Sequence, residues 1–345
     1  MPNKNRRFCW VKLFTFILLF GLFSIRANAA SFNCKKATNW LEKTICSDPE
    51  LSKLDEQMAK AYQDTLASLS PEGQKETKEY QRQWLKEISY IKAKNDKFYT
   101  ENKQYPASFH DEAIARDLKD AYEERIEQLQ QSLTKFPDRI FRNVYVNHSK
   151  ADKNCAYFLV ERHLSYPQIE NPRDENEKSW NIRLLEKVCA DFKEESDGND
   201  CTNINDEYRV SFSSRNLISF YGHHYYYDQG AAHGYGSPTI SFSWLWKEKR
   251  ELQASDLFDD KTDWRKKLTA LVAEKQKEWE ATAHNMTLMA SSKDKLFSPN
   301  NWVISEHEWG FWLYTHNFAD ATLITIDWKS LDPYLSKKGH SLIHD

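Results

Sequence analysis

The spacing of apolar residues changes period near residue 135. Upstream, they recur at steps of three and four: Leu51, Leu54, Met58, Ala61, Thr65 and Leu69, then Tyr80, Trp84, Ile88 and Ile91. A third stripe runs through Ile114, Leu118, Tyr122, Ile126, Leu129 and Leu133. Each stripe marks the buried face of an amphipathic helix. Helix starts are equally legible. Asn39 stands three residues before Glu42, and Ser47-Asp-Pro-Glu50 reads as a capping box with proline at the first helical position. Ser70-Pro-Glu-Gly73 closes one helix and opens the next, and Asp111 can cap the last after a polar stretch at 97–108. Three long helices with short connections predict an antiparallel bundle.

From about residue 139 the period falls to two. Arg139–Asn147, Cys155–His163, Glu207–Ser213, Leu217–Tyr226 and Thr239–Trp246 read as strands, and Trp309–Phe318 with Ala321–Trp328 as a hairpin. Helical patterns at Trp180–Phe192 and from Asp263 to about Thr282 interrupt them. The predicted class is α+β: an N-terminal antiparallel helical bundle over 30–135, then an antiparallel-sheet domain with helices on one face over 136–345.

Residues 1–29 stand apart. Lys4, Arg6, Arg7 and Lys12 precede the apolar run Leu13–Phe23, and Ala27-Asn28-Ala29 offers a small-x-small cleavage pattern. These are the three parts of a secretory signal peptide, and the run is short for a bilayer span. The expected location is therefore periplasmic or secreted, with no stable membrane insertion after cleavage. Export changes the charge. The 345-residue chain has 48 Lys+Arg and 51 Asp+Glu; removing the five basic residues of 1–29 leaves 43 against 51, a net charge of −8. That balance disfavours nucleic acid as a partner and suits a cationic one.

Of six cysteines, Cys9 departs with the leader, leaving Cys34, Cys46, Cys155, Cys189 and Cys201. An oxidising compartment favours disulfides. Cys34/Cys46 and Cys189/Cys201 share a separation of twelve residues. The expectation is that these two pairs close, leaving Cys155 free.

The stretch Phe32-Asn-Cys-Lys-Lys-Ala37, followed by Glu42-Lys-Thr-Ile-Cys-Ser-Asp-Pro-Glu-Leu-Ser-Lys-Leu-Asp55, closely resembles the LprI-type lysozyme-inhibitor domain of exported bacterial proteins. Gln83-Trp84-Leu85-Lys86 and Tyr122-Glu-Glu-Arg-Ile126 match its later helices, so the resemblance spans roughly 31–133. A second cysteine pair carried by many members is missing here. The later segment Tyr225-Tyr-Tyr-Asp-Gln-Gly-Ala-Ala-His-Gly-Tyr-Gly236, with Glu251-Leu-Gln-Ala-Ser-Asp-Leu-Phe258, resembles the extracellular domain of the lysozyme-sensing anti-sigma factor RsiV. Here Gly230-Ala-Ala-His233 replaces the commoner G-G-A-H turn. Both resemblances imply lysozyme as a partner.

No G-x-S-x-G, H-E-x-x-H or Walker pattern occurs, so binding rather than catalysis is expected, without catalytic residues or cofactors. His223, His224 and His233 beside Asp228 and Tyr235 have metal-ligand atom types. Adjacent histidines on a strand point to opposite faces, however, and no metal is expected there. A turn of fixed geometry and a partner-contacting loop are the other readings. The candidate binding residues are Tyr227, Asp228, His233 and Tyr235 in the loop 228–236. The functional expectation is an exported envelope protein that binds or inhibits a cationic lysozyme-type hydrolase. The alternative is a peptidoglycan-associated or envelope-stress module without inhibitory activity.

Overall fold

A computed structural model describes residues 30–192, 201–282, 293–314 and 321–344. The leader assigned to 1–29 lies outside the described residues.

Helices α1 (Trp40–Ser47), α2 (Pro49–Ser68), α3 (Pro71–Ile88), α4 (Ile91–Glu101) and α5 (Ala107–Gln130) build the N-terminal region. The start signals at Asn39 and Pro49 act as expected, but no capping box forms at Ser47, which ends α1 and donates its hydroxyl to the Thr44 carbonyl at 3.0 Å. Asn39 accepts from the Glu42 amide at 2.9 Å, and Asp48 from those of Glu50 and Leu51 at 2.8 and 3.2 Å, satisfying donors with no partner inside the helix. The core joins Leu51, Leu54, Met58, Tyr80, Trp84, Ile88, Ile114, Leu118, Tyr122 and Leu129. A buried Asp55 ties this core to the entry segment, accepting from Tyr122 Oη at 2.9 Å and from the Ser31 amide at 2.7 Å.

Two features differ from the periodic reading. The stripe through Ile88 and Ile91 is interrupted by a turn at Ser89-Tyr90, after which a separate helix, α4, begins and packs on α5. A three-residue step fits an unbroken helix and a one-turn break equally well, so periodicity could not expose it. Helix α5 starts at Ala107 rather than beside Asp111, behind an extended Pro106 with no side-chain cap.

The sheet region follows: β1 (Leu133–Lys135), β2 (Ile140–Asn147), β3 (Lys150–Ala151), β4 (Leu159–Val160), β5 (Arg162–Ile169), α6 (Glu175–Phe192), β6 (Thr202–Ser213), β7 (Leu217–Asp228), β8 (Tyr235–Leu245) and β9 (Arg250–Glu251). The chain then runs through α7 (Ala254–Leu257), α8 (Trp264–Thr282), α9 (Lys293–Leu296), β10 (Trp302–Ile304), β11 (Glu308–Tyr314), β12 (Ala321–Asp327) and α10 (Lys337–His344). The main sheet has the order β1-β2-β5-β6-β7-β8-β9, and β10-β11-β12 form a second, antiparallel one. The α+β class stands, with two refinements. The pair β5/β6 is parallel, because α6 carries the chain back across the sheet between them. The helices also occupy more than one face. Trp180, Leu184 and Val188 of α6 cover the side bearing Phe220, Phe242 and Trp244. Leu217 and Leu245, which alternate with those residues, pack instead with α8 and the small sheet around Trp264, Trp302 and Trp309.

The disulfide expectation is half right. Cys34 pairs with Cys46 across a Cα–Cα distance of 5.7 Å. Cys201 pairs with Cys155 at 5.3 Å, and not with Cys189. Cys189 belongs to α6. Cys155 is not on a strand: it lies buried in the turn before β4, and the parallel pairing of β5 and β6 brings that turn beside the start of β6. Lys97 of α4 clamps the same turn, donating to the carbonyls of Lys153 and Cys155 at 2.8 and 2.7 Å.

Candidate functional site

Antiparallel pairing of β7 with β8 makes a tyrosine-rich hairpin whose strands end at Asp228 and begin at Tyr235. Strand alternation divides its residues between two faces. On one, Tyr225 and Tyr227 lie opposite Asn205 and Asn203 of β6, with His163 of β5 next in line. On the other, His224 bonds Asp206, and Tyr226 stacks on Tyr235 with ring centres 5.2 Å apart.

The four candidate residues therefore do not form one cluster. Tyr227 stacks on Tyr157 with hydroxyls 3.0 Å apart, and its hydroxyl also donates to the Ala231 carbonyl at 3.1 Å. Asp228 is exposed and accepts from Thr202 Oγ1 at 2.6 Å, which fixes the hairpin's root. His233 is exposed at the tip, its ring 5.1 Å from that of Tyr235 on the face away from Tyr227. A Cβ at Gly234 would fall 2.2 Å from Tyr225 Oη, which reaches over it, so a larger residue there would displace the Tyr225 ring. Among the described residues, the hairpin histidines belong to no group of three ligand side chains close enough to share an ion. His223 is half-buried, and desolvation holds its imidazole below the ordinary range, reinforced by the charge of His224 and opposed by Glu207 and Asp206.

The Tyr225/Tyr227 face forms the floor of a cleft of about 540 Å³. Asn203, Asn205 and His163 continue the floor, while α3 contributes Trp84 and Glu87, α4 Lys94, and α5 Asp117, Asp120 and Glu124. With Glu161, five carboxylates thus face Lys94, Arg125 and His163. His163 donates to Glu87 at 2.9 Å. Burial alone would depress the imidazole; the hydrogen bond and charge of Glu87, with Glu161 and Glu124 behind it, outweigh burial and raise its pKa. Burial would likewise raise the Glu87 carboxyl, but His163, Asn147 and Ser149 hydrogen-bond it and hold it low. Lys94 lies 3.6 Å from Glu161. Glu124 accepts from Gln128 at 3.0 Å, and Asp120 has no polar partner among the described residues. Desolvation in the cleft pushes the Glu124 carboxyl above the ordinary range; Glu87 and Glu161 add to this, and His163 opposes it. A group in that position gains from an incoming cation.

The helix-borne half of this cleft escaped the sequence reading. Asp117, Asp120 and Glu124 occupy polar positions between the buried residues of α5, where a solvated face looks the same as one wall of a site. The contact that makes them a wall joins segments dozens of residues apart, with no local signal.

Two solved structures of the DUF3298 family are similar to the chain. One, from Bacteroides fragilis NCTC 9343, shares 15% identity at a TM-score of 0.40 and covers 60% of this chain and 95% of its own. Another, from Pseudomonas aeruginosa PAO1, shares 10% identity at a TM-score of 0.37 and covers 57% of this chain and 95% of its own. No curated protein matches the chain. The helical region, over residues 34–129, matches the family model described as lysozyme inhibitor LprI.

Proposed function

We propose that this is an exported binding protein of the cell envelope that captures a cationic lysozyme-type hydrolase and blocks its active site. The observation that carries the reading is the match of residues 34–129 to the lysozyme-inhibitor family, because those residues supply one wall of the acidic cleft. The resemblance of the second half to the RsiV extracellular domain points the same way. Two disulfides suit an oxidising compartment, and among the described residues no helix is long and apolar enough to cross a membrane.

The chemistry is that of charge and shape complementarity. Glycan hydrolases of this kind hold two carboxylates across a substrate groove. The exposed tip with His233 and Tyr235 offers donors to such carboxylates, while the cleft beneath Tyr225 and Tyr227 receives a basic side chain from the rim of the partner's groove. Net negative charge on the exported chain accelerates encounter with a cationic partner. A specific observation favours peptidoglycan as the second reading: Tyr225, Tyr227, Asn203 and Asn205 together offer rings for sugar faces and amides for hydroxyls.

The test is inhibition of several lysozyme classes by the chain lacking 1–29 at micromolar excess, beside binding of soluble muropeptides. Inhibition weakened by His233→Ala or Tyr225→Ala is the expected result. Lysozymes left fully active by the unmodified protein would overturn the reading, and muropeptide binding in their place would support the second one.

A further inference from the structure

We propose that Asp332, His340 and His344 form a binding site for a divalent metal ion of the zinc type, independent of the cleft and of the lysozyme reading. Among the described residues, these are the side chains whose ligand atoms gather as a potential metal site, all within 4.8 Å of one another. His340 and His344 are one turn apart on α10, so both project from the same side of the helix. Their ring centres are 5.9 Å apart with planes tilted by 32°. Asp332 comes from the tight turn Asp332–Tyr334 and places Oδ1 at 3.0 Å from His344 Nε2. An ion pair between His344 and Asp332 needs nothing further; the position of His340 is what that pair leaves unexplained.

The scaffold beneath these side chains is fixed on both sides. Leu342 and Ile343 of α10 are buried in the core. Gly339 lets the helix backbone rest on α7, since a Cβ there would sit 2.1 Å from the Leu257 carbonyl oxygen. The Ser336 amide donates to that same carbonyl at 2.7 Å, and the Asp259 amide donates to the Tyr334 carbonyl at 2.9 Å. Turn and helix are therefore held to one short stretch of chain, and only the three side chains need to adjust. Ligand atoms around a tetrahedral ion with bonds of ~2 Å lie about 3.3 Å apart. The Asp332–His344 distance is already shorter, so closing the site requires mainly side-chain rotation by His340.

Two imidazoles and one carboxylate suit zinc, with nickel and copper as competitors, and leave at least one position for water. Both histidines are exposed, so the ion can enter and exchange freely. The ion binds neutral imidazoles, so affinity falls as acid protonates them. Bound metal would tie the last helix to the turn before it and raise the temperature of unfolding by mass action.

The test uses tag-free protein lacking 1–29, stripped with chelator, and zinc sulfate as the probe in competition with a chromophoric chelator. One-to-one binding and a higher Tm with zinc are expected. Loss of an outer partner of a metal ligand already costs ~10–100-fold in affinity, so His340→Ala and His344→Ala should each weaken binding at least about tenfold. Both substitutions are at exposed positions, and circular dichroism in chelator checks that the variants stay folded. His307→Ala, at an exposed position outside both sites, serves as the control and should bind as the parent does. Absence of a stoichiometric site, or parental affinity in both α10 variants, would overturn the proposal.

Discussion

Arg142 joins the helical region to the sheet, and its removal has a calculable cost. The guanidinium leaves β2 and is almost wholly buried, at 2% exposure. It donates to Glu170 at 3.1 Å, to Glu76 of α3 at 2.8 and 3.3 Å, and to Gln168. Burial would lower its pKa, but the carboxylates of Glu76, Glu170 and Glu72 outweigh burial and raise it, so the group is charged at every accessible pH. Glu170 is equally enclosed and also accepts from the amide of Ser70, the residue that caps α3. Substituting Arg142→Met keeps most of the volume but leaves Glu170 as a buried carboxylate with one backbone donor. Breaking a buried pair from one side costs about 3–5 kcal/mol, and that is the loss expected in urea unfolding with an unchanged slope. Glu170→Met alone should cost less, because Glu76 still neutralises the guanidinium. The double substitution Arg142→Met, Glu170→Met should recover most of the loss, since apolar replacement of both partners is often close to neutral. A single-variant loss below about 1 kcal/mol, or additive effects in the double variant, would refute the view that charge pairing holds α3 on β2.

Two further outcomes follow from the same structure. The His163 pKa is raised and that of Glu87 lowered. The His163 contribution to stability is thus complete below about 6.5, its unfolded value, and fades as pH climbs through the raised folded value. The Glu87 contribution is present above its unfolded value, about 4.5, and disappears as acid passes its lowered folded value. His163→Gln should flatten the alkaline limb of stability against pH, measured by urea melts; an unchanged limb would remove this pair as its cause. Peptide mapping without reductant should recover Cys201 linked to Cys155 rather than to Cys189. In the chain-entropy model, a 46-residue separation is worth about 4 kcal/mol and a twelve-residue one about 3. Cys155→Ser with Cys201→Ser should therefore destabilise at least as much as Cys34→Ser with Cys46→Ser, and the reverse order would contradict that model here.

Much of the fold was legible because it is local. Helix caps such as Asn39 and Asp48 act on amides two or three residues away, and the stripes of α2 and α5 need only their own spacing to mark a buried face. Strand periodicity found β2, β7 and the hairpin strands β11 and β12 for the same reason. The break before α4 was hidden because Ile88 and Ile91 keep the helical step across it. The hairpin loop was picked out for its residue types, but strand alternation, acting through pairing with β6, sends Tyr227 and Tyr235 to opposite faces.

The sequence by itself determined most of the helices and strands, since backbone propensity, capping and periodicity are short-range, and the first disulfide, whose cysteines flank a single short helix. Tertiary structure alone decided the parallel insertion of β6 beside β5, the partner of Cys201, and the cleft that sets five carboxylates against a tyrosine floor. It also brought Asp332 to the two histidines of α10. Each of these joins segments far apart in the chain, through strand pairing, ion pairs, a disulfide or core packing that exist only once those segments have come together.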